Sequence, residues 1–394
     1  MASSYTFSKL IAPMTKETFL AEYFERKPLI IRREDRAYYS DLLSLQVLEH
    51  TLTANTLPRE MAFVANATKQ VDPSEYTTPE GNGDPVRIFQ QFADGGTIVF
   101  NQLQTLHPPL ASLCRSLERE ISCRFQTNIY LSPAKAQGFP THYDSHDVFV
   151  LQVQGVKHWI VYNTPIELPF KGQPFRKDEM PKGEITMEFD LFPGDLLYLP
   201  RGIMHDAQTR EDQTIHITLG ALTSTWTELL LEAAAKVAVT DVDFRRSLPP
   251  GFANTDFDRE QAKVYFKSLL TRLAEKTDFD GALDHFADEL VASRRALLEG
   301  QFEQLARLDQ ITAESRCGAR PNLVYRWAIK DEQIIVSCFG ADMRMPDFTK
   351  EPLLFALEQP TFAVKDLPGD LDDAGKVVLV KRLVREGMVQ VAAW

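Results

Sequence analysis

The chain has 394 residues, 44% of them hydrophobic and 25% charged, a composition that excludes disordered, collagen-like and disulfide-scaffold proteins. At ~100–200 residues per domain, two or three domains are expected. Its 43 Lys and Arg against 55 Asp and Glu leave a net charge of −12, which argues against a general binder of nucleic acid or anionic membrane, since both demand positive charge.

Residues 15–26 read as a helix that Thr15 can cap, with Phe19, Leu20, Tyr23 and Phe24 at helical spacing. Lys27-Pro28 ends it, and Leu29-Ile30-Ile31 suggests a short strand. A helix is expected over 40–55, and Pro73, Pro79, Gly81, Gly83 and Pro85 mark 66–86 as loop. From Ile98 to Gly220, apart from a helix near 108–122, short β-rich runs follow one another at 127–132, 147–153, 156–162, 184–190, 195–199 and 213–219. Turn residues such as Gly155, Pro193-Gly194 and Pro200-Arg201-Gly202 separate them. Many short strands with regular turns imply a β-sandwich or barrel.

After Gly220 the pattern turns helical, with segments at 225–239, 259–276 and 280–308. Asp258 is the expected cap of the second, whose Ala262, Phe266, Leu269, Leu270 and Leu273 share a face. The block carries more apolar stripe than a small bundle needs, which predicts a homodimer. Segment 321–394 mixes strands (323–329, 333–338) with helices (349–357, 372–386) and a terminal strand (388–392), a winged-helix-like order. Its nine Lys and Arg against eleven Asp and Glu argue against specific DNA binding.

Cys114, Cys123, Cys317 and Cys338 include no CxxC pair, so a zinc ribbon and a thioredoxin-type motif are both absent. Four cysteines in such a chain suggest reduced, buried thiols and a cytoplasmic protein. The first residues lack the apolar core of a signal peptide. No run approaches ~18 uninterrupted apolar residues, so no membrane span is expected.

The informative stretch is Gly138-Phe-Pro-Thr-His142-Tyr-Asp144. Residues i and i+2 of a strand point to one side, so His142 and Asp144 can aim an imidazole and a carboxylate at one point. Alone, the pair also fits a loop histidine beside a solvated aspartate. A second stretch, Gly194-Asp-Leu-Leu-Tyr-Leu-Pro200-Arg-Gly202-Ile-Met-His205, has the spacing G-x5-P-x-G-x2-H. It resembles the second motif of cupins, whose final histidine is a metal ligand, with Thr209 where many cupins carry Asn. His142, Asp144 and His205 then make a facial triad that leaves three adjacent coordination sites open and suits non-haem Fe(II). A closed four-ligand site would suit structural zinc. Three open sites are what a 2-oxoglutarate oxygenase needs, two for the chelating cosubstrate and one for O2.

Lys157 lies fifteen positions after His142. In the Jumonji-C family a Lys or Arg at this spacing anchors the distal carboxylate of 2-oxoglutarate, a role a point charge can fill; the alternative is a lysine on the outer barrel face. The strings Asn128-Ile-Tyr130-Leu-Ser-Pro-Ala, Gln137-Gly-Phe-Pro-Thr-His142-Tyr-Asp144 and Phe149-Val-Leu-Gln-Val-Gln-Gly155-Val-Lys157-His-Trp159 resemble the Jumonji-C (JmjC) ribosomal oxygenases, as do Arg26-Lys-Pro-Leu-Ile-Ile-Arg32 and Tyr198-Leu-Pro-Arg-Gly202.

That resemblance implies a mainly β catalytic domain, a double-stranded β-helix or cupin jelly roll, with a helical dimerisation region and a C-terminal winged-helix-like α+β module. The expected boundaries are 1–222, 223–312 and 313–394. It implies Fe(II), 2-oxoglutarate as cosubstrate, and hydroxylation of an arginine or histidine side chain of a ribosomal protein, with release of succinate and CO2. In similar proteins Asn128 and Tyr130 line the pocket, and His216 and Thr218, on one strand face with Thr214, border the cosubstrate if that face looks inward. Gln137, Tyr143 and Asp147 are candidate substrate contacts; His146 and His158 read as structural or surface histidines; Arg201 can pair with a carboxylate. Asn128, Gln137 and Tyr130 favour a histidine substrate, whereas arginine would want a carboxylate, which Asp147 or Asp206 could supply. The alternatives are a JmjC lysyl demethylase, a hydroxylase of a non-ribosomal target, and a non-enzymatic cupin scaffold.

Overall fold

The period-two pattern between Ile98 and Gly220 becomes two antiparallel sheets. A computed structural model describes residues 5–177 and 179–392, and the chain divides into two compact units at Thr223/Ser224. The first unit contains β1 (Leu29–Ile31), β2 (Ala62–Ala65), β3 (Thr97–Asn101), β4 (Arg124–Ser132), β5 (Asp147–Gln154), β6 (Lys157–Tyr162), β7 (Ile185–Leu191), β8 (Leu196–Leu199), β9 (His205–Thr209) and β10 (Thr214–Leu222). The larger sheet runs β1-β8-β5-β10-β4-β3-β2 and the smaller β7-β6-β9.

The larger sheet is covered on both faces, which explains why β5 reads as an apolar run from Val148 to Leu151, whereas β10 alternates Thr214, His216 and Thr218 with Ile215, Ile217 and Leu219. Val148, Val150, Leu197 and Leu199 pack with Trp159 and Val161 of the smaller sheet. Phe149, Leu151, Tyr198, Ile215 and Ile217 belong instead to the cluster formed with the N-terminal helices and with helix Pro108–Ile121. There the Phe149 ring lies 5.7 Å from Phe19 and 4.8 Å from Tyr198. Burying one such ring stabilises the unit by ~1.5–3 kcal/mol.

Local signals explain several boundaries. Thr15 accepts the Thr18 N–H and starts helix Lys16–Glu22. Helix Pro85–Ala93, β2 and β3 were not expected. Asp84 caps that helix with Pro85 in its first turn, a start signal that lies inside a segment rich in Pro and Gly.

The second unit contains helices Trp226–Thr240, Glu260–Lys276, Phe279–Ala292, Gln301–Ala306, Lys350–Glu358 and Asp373–Arg385. It also holds a meander of Arg326–Lys330, Gln333–Cys338 and Ala341–Pro346, and a second sheet in which Arg316–Ala319 lies between Phe362–Ala363 and Val389–Val391. Helix Phe279–Ala292 packs on strand Gln333–Cys338, so helices and strands share one unit. The helix expected over 280–308 is broken: Ser293 ends its first part, and Gly300, at φ +75°, precedes its second. Glu260–Lys276 buries none of its residues. No helix among the described residues is long and apolar enough to cross a membrane.

Candidate active site

His142 belongs to no named strand, yet it pairs with the first residue of β9. Its N–H donates to His205 O at 3.1 Å, and the His205 N–H donates to His142 O at 2.8 Å. Directly opposed residues of an antiparallel pair present their side chains on one face, and the two rings lie 4.7 Å apart. Asp144, two residues on, shares that face, its Oδ2 3.7 Å from His205 Nε2. The ligand atoms of the three residues lie within 4.8 Å of one another.

Both imidazoles are oriented by their own backbone. His142 Nδ1 lies 2.9 Å from Pro140 O and His205 Nδ1 3.0 Å from Ile203 O. A carbonyl only accepts, so each Nδ1 carries the proton and each Nε2 keeps a lone pair for a metal. Burial, and then the neighbouring His142, hold His205 below the usual histidine range, so it is neutral and ready to ligate at neutral pH. Two imidazoles and one carboxylate are a donor set that fits Fe(II).

The turn before His205 is built around Gly202. Its φ is +87°, and a Cβ there would lie 2.3 Å from Ile166 O, so only glycine fits. The Gly202 N–H donates to Asp144 O at 3.0 Å, tying the turn to the ligand segment. The Arg201 N–H donates to Asp147 Oδ1 at 2.8 Å, and the Arg201 guanidinium pairs with Asp147 and Glu25.

The three ligands line a cavity that opens to solvent. Lys157 and Trp159 of β6, Tyr130 of β4, and His216 and Thr218 of β10 line it too. Gly155, at φ +66°, turns the chain so that Lys157 points inward, where it is 3% exposed. Lys157 Nζ donates to Ser132 Oγ at 2.9 Å and Thr209 Oγ1 at 3.3 Å. Thr97 and Thr214 extend this set of hydroxyls. No carboxylate pairs with Lys157 among the described ion pairs, and burial pushes its ammonium down to about 7. A buried cation with only hydroxyl partners suits an anionic ligand. His216 stacks on Tyr130 at 4.6 Å, and burial together with Lys157 holds it well below the histidine range.

Three expected substrate contacts face elsewhere. Asp147 is fully buried against Arg201, and burial pushes its carboxyl up to about 6. Tyr143 alternates with the ligands and so points to the opposite face, packing with Tyr162 and Met204 and donating its hydroxyl to Gln173 O. Gln137 donates its side-chain amide to Phe139 O, two residues away. Asn128 is not among the residues that line the cavity. His158 pairs with Asp190 and Glu188, and the His146 ring lies against Gly220. Sequence reasoning did not single out Trp159, although it shares a strand face with Lys157. Its Nε1 is buried without a hydrogen-bond partner.

The JmjC domain profile matches residues 100–229. The bifunctional lysine-specific demethylase and histidyl-hydroxylase NO66 of Dictyostelium discoideum is 34% identical over 426 residues, covering 96% of this chain and 81% of that protein. Its Aedes aegypti counterpart is 32% identical over 307 residues, covering 71% of this chain and 47% of that protein. The chain thus spans about half the length of several of the curated relatives it matches. Among solved structures, Escherichia coli ribosomal oxygenase YcfD in complex with cobalt and 2-oxoglutarate aligns with a TM-score of 0.56 at 17% identity, covering 97% of this chain and 99% of that one.

If the three residues form one metal centre, His205→Ala and Asp144→Ala each abolish stoichiometric Co(II) binding in a calorimetric titration. His146→Ala retains it, and retention by His205→Ala would place the metal elsewhere.

Proposed function

The chain belongs to the JmjC ribosomal oxygenase family, and on that premise we propose that it is an Fe(II)- and 2-oxoglutarate-dependent hydroxylase of a ribosomal protein. The observation that carries this reading is the pair of imidazoles with their Nδ1 atoms on backbone carbonyls, beside one carboxylate. His142, Asp144 and His205 would hold the metal, which, when bound with 2-oxoglutarate and O2, supplies the oxidant for the C–H bond and releases succinate and CO2. Lys157 binds the distal carboxylate of the cosubstrate, with Ser132 and Thr209 holding its ammonium in place. His216 remains neutral and keeps Tyr130 in place by stacking. Val148, Val150, Trp159 and Ala207 give the cavity an apolar wall that excludes water.

The side chain hydroxylated is, in this reading, a histidine. Among the described residues lining the cavity, Asp144 is the one carboxylate, and it is committed to the metal. Asp147 and Asp206, which kept arginine open, bond to Arg201 and to Thr141, Tyr162 and Lys182 instead. A guanidinium would enter without a partner, whereas an imidazole needs only neutral groups. Intact-mass and fragmentation analysis of ribosomal proteins from cells with and without this gene tests it. The expected result is a gene-dependent gain of one oxygen on one histidine; a gain on arginine, or loss of a lysine methyl group instead, overturns the assignment.

We further infer a homodimer formed through the expected dimerisation region, residues 223–312. Leu230, Leu231, Val264 and Phe266 are each more than 60% exposed, and large apolar side chains left in water favour association where they join into a patch. Residues 313–394 are read as a winged-helix-like module that does not bind DNA specifically. Four buried free thiols are in keeping with a cytoplasmic setting. Light scattering at micromolar concentration is expected to give the dimer mass, and Leu230→Asp with Phe266→Asp the monomer mass. A monomeric parent protein overturns the inference.

The buried Lys157 adds a pH dependence. Binding a dianion favours the protonated ammonium and raises its pKa. Affinity for 2-oxoglutarate is therefore flat below about pH 7 and falls above it by up to about tenfold per unit, until the pKa of the complex is reached. Lys157→Met weakens binding roughly 100-fold and removes this slope, as calorimetry with the Co(II)-loaded protein will show. A slope that persists in the variant assigns the proton to another group.

A further inference from the structure

The metal ligands occupy one face of the His142–His205 bridge. The antiparallel register of that bridge sets Thr141 opposite Asp206 on the other face. There Asp206 Oδ2 accepts three hydrogen bonds, from Thr141 Oγ1 at 2.6 Å, Tyr162 Oη at 2.9 Å and Lys182 Nζ at 3.3 Å. Asp206 is 9% exposed. Tyr143 and Met204, the opposed pair on the other side of the bridge, pack with Tyr162. The Tyr162 N–H also donates to Met204 O at 2.8 Å. One carboxylate oxygen thus joins the segment carrying His142 and Asp144, the strand carrying His205, the end of β6, and Lys182.

The geometry points to Asp206 as a positioning residue of the metal centre: its hydrogen bond from Thr141 fixes His142 against His205 and thereby sets metal affinity and coordination geometry. A single bridge has no continuous ladder beside it, only the Gly202–Asp144 and Thr209–Ala136 backbone bonds farther along, and a slip of one residue turns every side chain to the opposite face. The Thr141–Asp206 bond supplies that resistance one residue from each histidine. A carboxylate acceptor makes it stronger than a bond between neutral groups. The described hydrogen bonds of the Asp206 side chain go to Thr141, Tyr162 and Lys182 and to none of the three ligands, so it acts through the backbone it holds.

The inference rests on the metal-site reading, and the test separates the two. Metal-free protein is titrated with Co(II), with affinity read by calorimetry and geometry by visible absorption. Asp206→Ala and Thr141→Val are each expected to weaken Co(II) binding roughly 10–100-fold and to alter the spectrum. The double variant loses no more than the weaker single, because both remove the same bond. Asp206→Asn, whose amide oxygen still accepts the Thr141 hydroxyl, recovers most of the affinity and the parent spectrum. Thr141→Val removes one hydroxyl at nearly constant volume, so the test stands even where Asp206→Ala does not fold. Parent-like affinity and spectrum in Thr141→Val, or losses that add in the double variant, overturn the inference alone. A parent protein that takes up no Co(II) overturns the metal-site reading beneath it.

Discussion

Two backbone hydrogen bonds exchanged between His142 and His205 are the constraint on which the centre depends. β8 lies in the larger sheet and β9 in the smaller, and the turn Pro200–Gly202 carries the chain between them. The segment 138–146 makes the reverse passage, bridged to β9 at His142 and entering β5 of the larger sheet at Asp147. The ligands therefore sit where two crossings meet. The same arrangement explains why one glycine carries so much: Gly202 closes the turn against Ile166 and bonds to Asp144, so the positive φ, the close approach and the ligand spacing are one requirement.

The electrostatics of the cavity follow from a second choice, a lysine where burial opposes charge. Hydroxyls from Ser132 and Thr209 orient the Lys157 ammonium without neutralising it. A carboxylate there would have stabilised the folded protein more and left nothing for a ligand to gain. Burial, with Lys157 adding to it, keeps the His216 ring neutral, so the stack of His216 on Tyr130 brings no second cation to the cavity.

What the sequence made legible was local. His142 and Asp144 are two residues apart, so strand periodicity alone sets them on one side; His205 is legible as their partner only through the resemblance of its G-x5-P-x-G-x2-H stretch to the second cupin motif. Lys157 is legible as an anchor through its spacing from His142, which resembles that of the Jumonji-C family. The hydroxyls of Thr97, Ser132, Thr209 and Thr214 were not, because a threonine on a half-buried strand looks the same whether it faces a lysine or a neighbour's methyl group. Asp147 was misread for a related reason. It lies three residues from Asp144 beside the ligand segment, and only the fold reveals Arg201 waiting for it. The helix at Pro85 shows the reverse failure, where a correct start signal was outweighed by the prolines and glycines around it.

The acidic residues around the centre are sorted by face. Glu25 and Asp147 meet Arg201. Asp206 collects Thr141, Tyr162 and Lys182 behind the bridge. Asp144 alone among them lines the cavity. A second carboxylate there would compete for the metal as a fourth ligand, closing a coordination site that the chemistry needs open. With Glu25 and Asp147 on Arg201, and Asp206 on Thr141, Tyr162 and Lys182, Asp144 is left as the one carboxylate among the described residues lining the cavity, so a metal held there would keep its other positions open.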